Sequence, residues 1–84
     1  LDRRTTIIVL GDGRSNFTDP RLDLMRTLHE RSKAVIWLNP EPEGFWGLGD
    51  SEMDRYRRFC HVARTCNTVQ HLEDVINDVL KSYM

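Results

Sequence analysis

The chain has 84 residues, 39% of them hydrophobic and 30% charged, with a net charge of −1. That is enough for one thin domain, since a chain this small buries only about 60% of the surface its unfolded form exposes. Lys, Arg, Asp and Glu are scattered along it, which argues against a dedicated nucleic-acid or anionic-membrane surface, because such surfaces need clustered positive charge. No apolar run approaches the roughly 18 residues that span a bilayer. No charged-then-apolar leader precedes the first strand, so nothing marks the chain for export. It opens on Leu1 rather than Met, so a segment of a longer protein is expected.

Thr5 to Leu10 is β-branched and apolar without alternation, the pattern of a strand covered on both faces, as in parallel sheets. It stops at Gly11-Asp12-Gly13, and a polar loop runs from Arg14 to Thr18. Asp19-Pro20 then predicts a helix start, with Asp19 as N-cap and Pro20 in the first helical position. Leu22, Leu24, Met25 and Leu28 fall at helical spacing, with Arg21, Asp23, Arg26 and Glu30 on the solvent side. Ala34 to Leu38 is a second buried strand, and Asn39-Pro40-Glu41-Pro42-Glu43-Gly44 must be loop, continuing to Gly49.

Asp50-Ser51, with Ser51 and Asp54 in capping-box spacing, predicts a short helix to about Phe59. A weaker strand, His61 to Cys66, follows. The last helix is predicted to begin at Asn67-Thr68-Val69-Gln70, with Asn67 and Gln70 as its capping box. Val69, Leu72, Val75, Ile76, Val79, Leu80 and Tyr83 form its apolar face.

The pattern is βαβαβα, an α/β chain. Short loops and right-handed crossovers place three parallel strands side by side, two crossover helices on one face and the last helix on the other, a three-layer unit. In that order the most apolar strand lies at an open edge, which invites pairing. Another part of the parent protein or a second copy is expected against it. Cys60 and Cys66, six strand steps or roughly 20 Å apart, are beyond the reach of a disulfide, whose Cα atoms lie within about 7 Å. A shared zinc is equally out of reach. Both read as reduced packing residues of a cytosolic protein.

Ligand sites in open α/β sheets lie beyond the carboxyl ends of the strands. Asp12, Ser15, Asn16 and Asp19 gather there from the first loop, and Asn39, Glu41, Glu43 and Asp50 from the second. This oxygen-rich set suits Mg²⁺, Mn²⁺ or Ca²⁺ rather than zinc or copper, and Gly11 and Gly13 allow close approach of backbone and ligand. The same residue types also build plain turns, and spacing alone leaves the two readings open. Trp37 is expected in the core. Phe45 and Trp46 either close their loop or face a partner, closure being the expectation. His29, His61 and His71 show no ligand or triad spacing. With no Gly-x-Ser-x-Gly elbow, Walker loop or Gly-x-Gly-x-x-Gly, no catalytic set emerges.

Ile8 to Asn16, Asp19-Pro20, Trp37-Leu38-Asn39-Pro40-Glu41 and Trp46-Gly47-Leu48-Gly49-Asp50-Ser51-Glu52-Met53 together resemble the C-terminal part of CoxE-like von Willebrand factor A (VWA) domains. The resemblance runs across nearly the whole chain. It implies that residues 1–84 are a partial VWA domain, the later half of a Rossmann-like doubly wound sheet whose first half is missing. It also implies a metal-ion-dependent adhesion site (MIDAS), made in the family from an Asp-x-Ser-x-Ser segment, a Thr from a second loop and an Asp after the fourth strand. Asp12 matches that last Asp, and Gly11, Gly13, Ser15, Asn16, Asn39 and Glu41 would shape the binding loops. The other elements have no counterpart here and would lie upstream of Leu1. The first strand would be the fourth of the full domain.

The function implied is a non-enzymatic, cytoplasmic protein-interaction module using Mg²⁺, or Mn²⁺ or Ca²⁺. It would work with a MoxR-type AAA+ ATPase in metalloenzyme maturation and bind neither nucleic acid nor membrane. Two alternatives stand beside it: a phosphotransfer or hydrolase fragment using Asp12, and a self-associating scaffold. The isolated chain is expected to be a homodimer paired across its first strand.

Overall fold

An unbroken apolar run such as Ala34 to Leu38 needs cover on both faces, and the fold is arranged around supplying it. The computed structural model describes residues 2–83 apart from the side chains of Leu80 and Tyr83, and in it β2 (Ala34–Asn39) is buried along its whole length. β1 (Thr6–Leu10) and β3 (Val62–Thr65) flank it, all parallel, in the order β1-β2-β3. The register sets Ile7 beside Val35, Ile8 beside Ile36, Val9 beside Trp37 and Leu10 beside Leu38. Side chains alternate between faces along a strand. Val9, Val35 and Trp37 therefore share one face, and Ile8, Leu10, Ile36 and Leu38 the other.

α1 (Leu22–Arg31) and α2 (Met53–Tyr56), the latter prolonged by a 3-10 turn over Arg57–Phe59, cover the first face. Met25, Val35, Trp37, Trp46 and Met53 are its buried core, with Val9, Leu28, Tyr56, Phe59, Cys60 and Ala63 packed around them. α3 (Val69–Val75) covers the second face, where Val75 and Val79 meet Ile36 and Leu38. Beyond Val75 the helix continues through a π-helical turn, Ile76–Leu80, into a last turn, Lys81–Tyr83. The predicted three-layer βαβαβα unit, with a parallel three-stranded sheet and helices on both sides, is the fold. Among the described residues, no helix is long and apolar enough to cross a membrane.

The helix starts differ from expectation, each for a local reason. α1 begins at Leu22, not Pro20. The Asp19 carboxylate accepts the Arg21 N–H at 2.9 Å, closing a turn instead of capping a helix. The Pro20 carbonyl takes the Tyr56 hydroxyl at 2.8 Å, and Arg21 adopts a left-handed φ of 52°. α2 begins at Met53 behind Glu52, with Ser51 Oγ accepting the Met53 N–H at 3.4 Å. On α3 the capping residue is Thr68, not Asn67; its Oγ1 accepts the His71 N–H at 3.0 Å. Of the predicted apolar face of that helix, Leu80 and Tyr83 lie outside the described side chains, and the described remainder is only partly used. Val75 and Val79 are buried, while Val69, Leu72 and Ile76 are exposed, because the stripe is wider than the sheet beneath it. Leu24 on α1 is exposed too.

As expected, β1 is an open edge: among the described residues no strand pairs with its outer side. Ile8 is 42% exposed and Leu10 76%. The two cysteines are free and lie on opposite faces of the sheet, Cys60 toward α1 and α2, Cys66 toward α3. Burial pushes the Cys60 thiol up to about 11, and its Sγ donates to the Tyr56 carbonyl. His29 and His61 stack with centroids 4.9 Å apart. His29 Nδ1–H donates to the Phe59 carbonyl, whereas His61 Nδ1 accepts the Val35 N–H, so both imidazoles serve the backbone.

Candidate cation site and its arginine clamp

β1 delivers its loop to the top of the sheet under tight control. The Gly11 N–H extends the ladder to the Leu38 carbonyl (3.2 Å), and the Gly11 carbonyl accepts Trp37 Nε1–H (2.8 Å). The Trp37 ring stacks on Tyr56, 5.0 Å away and 14° from parallel, so the indole fixes the strand end from within the core. Asp12 Oδ1 accepts the Arg14 N–H at 3.0 Å, closing a turn, and Asp12 itself is exposed. Gly13 is required here: its φ is +73°, and a Cβ would strike the Met53 side chain. Gly11 has open space where a Cβ would stand, so nothing in its surroundings demands glycine.

Asn39, at the end of β2, joins the two loops. Fully buried, it donates from Nδ2 to the Asp12 carbonyl (3.0 Å) and accepts the Glu41 N–H at Oδ1 (2.8 Å). The Glu41 carbonyl in turn receives Trp46 Nε1–H and the Thr65 hydroxyl. Trp46 is buried, with the Arg57 guanidinium 4.8 Å over its ring, and it closes the loop as predicted. Phe45, half of the predicted pair, is exposed instead.

The dominant electrostatic feature is Arg14. Its Nε and Nη2 donate to the two Glu41 carboxylate oxygens at 3.1 and 2.8 Å, a bidentate pair. Its Nη1 donates to Asp50 Oδ1 at 2.8 Å and to the Leu48 carbonyl at 3.2 Å. Asp50 Oδ2 accepts the Asn16 N–H at 2.8 Å, and the Asp50 carbonyl accepts the Ser15 N–H. A short antiparallel bridge between Arg14 and Ser51 and a Glu52 N–H to Gly13 carbonyl bond complete the lacing. Arg14 holds the Asp50 carboxyl below its ordinary range, with help from the Asn16 N–H, and the two acids push the guanidinium up so that it stays cationic.

The sequence-predicted residues Asp12, Ser15, Asn16, Asn39 and Glu41 thus do converge, but not as one oxygen cage. Glu41 and Asp50 face an arginine, Glu43 pairs with Arg57 at 2.7 Å, and both ends of the Asn39 amide are engaged. Ser15 Oγ lies 3.3 Å from the Asp50 carbonyl and accepts the Phe17 N–H. Among the described residues, no group of three or more His, Cys, Asp or Glu could hold a metal ion. Mg²⁺ is commonly held through one or two carboxylates plus water, so the exposed Asp12 carboxylate fits one ligand of such an ion and is no site by itself. The role of Arg14 is not visible in the local sequence, because its partners lie 27 and 36 positions away. The available signal was one cation beside Asp12 against three acids in the second loop.

Parallel strands, helices on both faces and an acid in a Gly-flanked loop at the carboxyl end of β1 are consistent with part of a VWA-type, Rossmann-like α/β fold. The chain belongs to the family described as VWA domain containing CoxE-like protein, whose model matches residues 1–75. No curated protein and no solved structure matches it. VWA domains are generally non-catalytic interaction modules, and the family match supports a module of that type here.

Proposed function

We propose that this chain is the later part of a VWA domain that binds a protein partner through a divalent cation, with Asp12 as one ligand and an acidic residue of the partner as another. The observation that carries this is the difference between Asp12 and its neighbours. Glu41 and Asp50 are taken up by Arg14, while the Asp12 carboxylate stands exposed at the end of β1. The remaining ligands, including the Asp-x-Ser-x-Ser and Thr elements, would come from outside these 84 residues. By family, the partner is a MoxR-type AAA+ ATPase, the setting cytoplasmic and the task metalloenzyme maturation, without catalysis by the module itself.

The test is binding of the full-length protein to a MoxR-type ATPase in Mg²⁺ and in EDTA, with and without Asp12→Ala. Loss of at least roughly tenfold in affinity on substitution, about 1.4 kcal/mol, with no further loss in EDTA, is expected. Unchanged Mg²⁺-dependent binding would remove Asp12 from the site.

A hydrolase using Asp12 would need a lysine or second carboxylate beside it. Lys33 sits at the opposite end of the sheet, its N–H on the Thr5 carbonyl, and Glu41 and Asp50 are held by Arg14, so this reading has little to build on. Self-association has a specific observation behind it, the exposed Ile8 and Leu10 on an unpaired strand. We propose that the 84-residue chain on its own pairs through this edge.

A further inference from the structure

α1 and α2 lie side by side on one face of the sheet, and between their outer sides runs an open groove of about 570 Å³. Leu22, Asp23 and Arg26 line it from α1, and Arg55, Arg58 and Phe59 from α2 and the turn that prolongs it. The convergence follows from helical spacing. Leu22 and Arg26 are four apart and Arg55 and Arg58 three apart, so each pair shares a side of its helix. Three guanidinium groups therefore border one groove, although the chain as a whole carries a net charge of −1.

The charge of this groove is not answered from within. Its one acid, Asp23, is held in a bidentate pair by Arg21, with both contacts at 3.1 Å. Arg55 makes a single contact with Glu52 at 3.2 Å and remains well exposed. Among the described residues, the side chains of Arg26 and Arg58 have no ion-pair or hydrogen-bond partner. Between the arginines the floor is apolar, made by the partly buried Leu22 and Phe59.

We infer that this groove docks an acidic peptide segment that also carries an apolar side chain. Planar guanidinium groups match carboxylates in bidentate fashion, and Arg26 and Arg58 are placed to receive them from opposite banks. The apolar side chain then covers Leu22 and Phe59, which a simple anion would leave wet. A single phosphate is a poorer occupant, because the arginines are spread along two banks and do not surround one point. A nucleic-acid strand is poorer too: it needs a longer basic track and exposed stacking surfaces, and Phe59 is partly packed into the core. The volume lies within the range of about 300–1,000 Å³ usual for ligand sites. None of the lining residues belongs to the loops around Asp12, so the inference stands whether or not Asp12 binds a cation.

The test is an NMR titration of the ¹⁵N-labelled protein in EDTA, which silences any cation-dependent contact. The probe is a synthetic heptapeptide, Glu-Asp-Leu-Glu-Phe-Asp-Glu with blocked ends. Saturable shifts confined to α1, α2 and the turn after it are expected. Binding should weaken roughly tenfold in Arg26→Glu/Arg58→Glu, as for loss of paired interfacial charges, and remain within about twofold in Arg3→Glu/Lys81→Glu, a matched charge change in which each substitution is an isolated surface one. If the double reversal does not fold, Arg26→Gln/Arg58→Gln replaces it, with the same direction expected. The inference is overturned by an absence of saturable shifts at millimolar peptide, or by equal binding of the all-amide peptide with Gln and Asn in place of the acids. Equal loss in the matched control overturns it as well. So does tighter binding of inorganic phosphate or oligouridylate at the same residues.

Discussion

The two faces of the sheet are finished to different degrees. On the side of α1 and α2, five buried residues including both tryptophans are ringed by six further apolar groups. On the side of α3 the core among the described residues is Ile36, Leu38, Val75 and Val79, with Val62 and Cys66 packed beside it. Ile8, Leu10, Leu72 and Ile76, apolar residues of β1 and the last helix, stay exposed. The same strand β2 feeds both faces, so the difference comes from what is laid over it. Two helices and a tryptophan-closed loop complete one core, while a single helix over a three-stranded sheet leaves the other narrow. Stability should therefore be concentrated on the first face, and association on the second face and the β1 edge.

The largest effect should come from Trp37→Ala. It removes a buried indole, its stack on Tyr56 and its bond to Gly11, at a cost of about 3–5 kcal/mol, which approaches the whole stability of a small domain. Urea unfolding followed by circular dichroism would read this. Val75→Ala on the other face should cost less, about 2 kcal/mol for a buried valine. If the two costs came out equal, the asymmetry between the faces would be wrong.

Acid should loosen the laced loops next. Asp50 has its folded-state pKa lowered below 3.8, chiefly by Arg14. Its stabilising contribution is accordingly complete above that ordinary value and is lost as pH falls through the folded-state value. Thermal melts from pH 7 to pH 2.5 should show a steeper acid-side fall for the native chain than for Asp50→Asn, and parallel curves would break the clamp assignment. The smallest stability effect belongs to Leu10→Lys, within about 0.5 kcal/mol for an exposed position. This charge on the edge strand should nonetheless abolish dimerisation in sedimentation velocity. A native chain that stays monomeric at high concentration would remove the self-association proposal.

The strands and their order were legible because Thr5 to Leu10 and Ala34 to Leu38 are β-branched, apolar runs of the kind parallel strands carry. β2 is covered on both faces as that pattern implies, whereas the face of β1 that bears Ile8 and Leu10 is left open. Asp12 was legible as the acid at the end of such a run. The helix starts were not, because Asp19 and Ser51 are residues that close turns as readily as they cap helices, and the tertiary bond from Tyr56 to Pro20 decided the outcome. Arg14 and the groove arginines stayed hidden for a different reason. Their partners and neighbours are brought in from the other helix or the other loop, and a net charge averaged over the chain conceals three guanidinium groups on one face.

The amide that joins the two upper loops has a chemical lifetime as well as a geometry. Asparagine ordinarily decays to aspartate when the backbone N–H of the next residue attacks the side-chain carbonyl and closes a cyclic imide. At position 39 that would replace the N–H donor facing the Asp12 carbonyl with a negatively charged oxygen. The next residue is Pro40, which has no N–H to attack with. The residue that most depends on keeping its amide is thus followed by the one neighbour that cannot remove it, and the link between the loops does not age by this route.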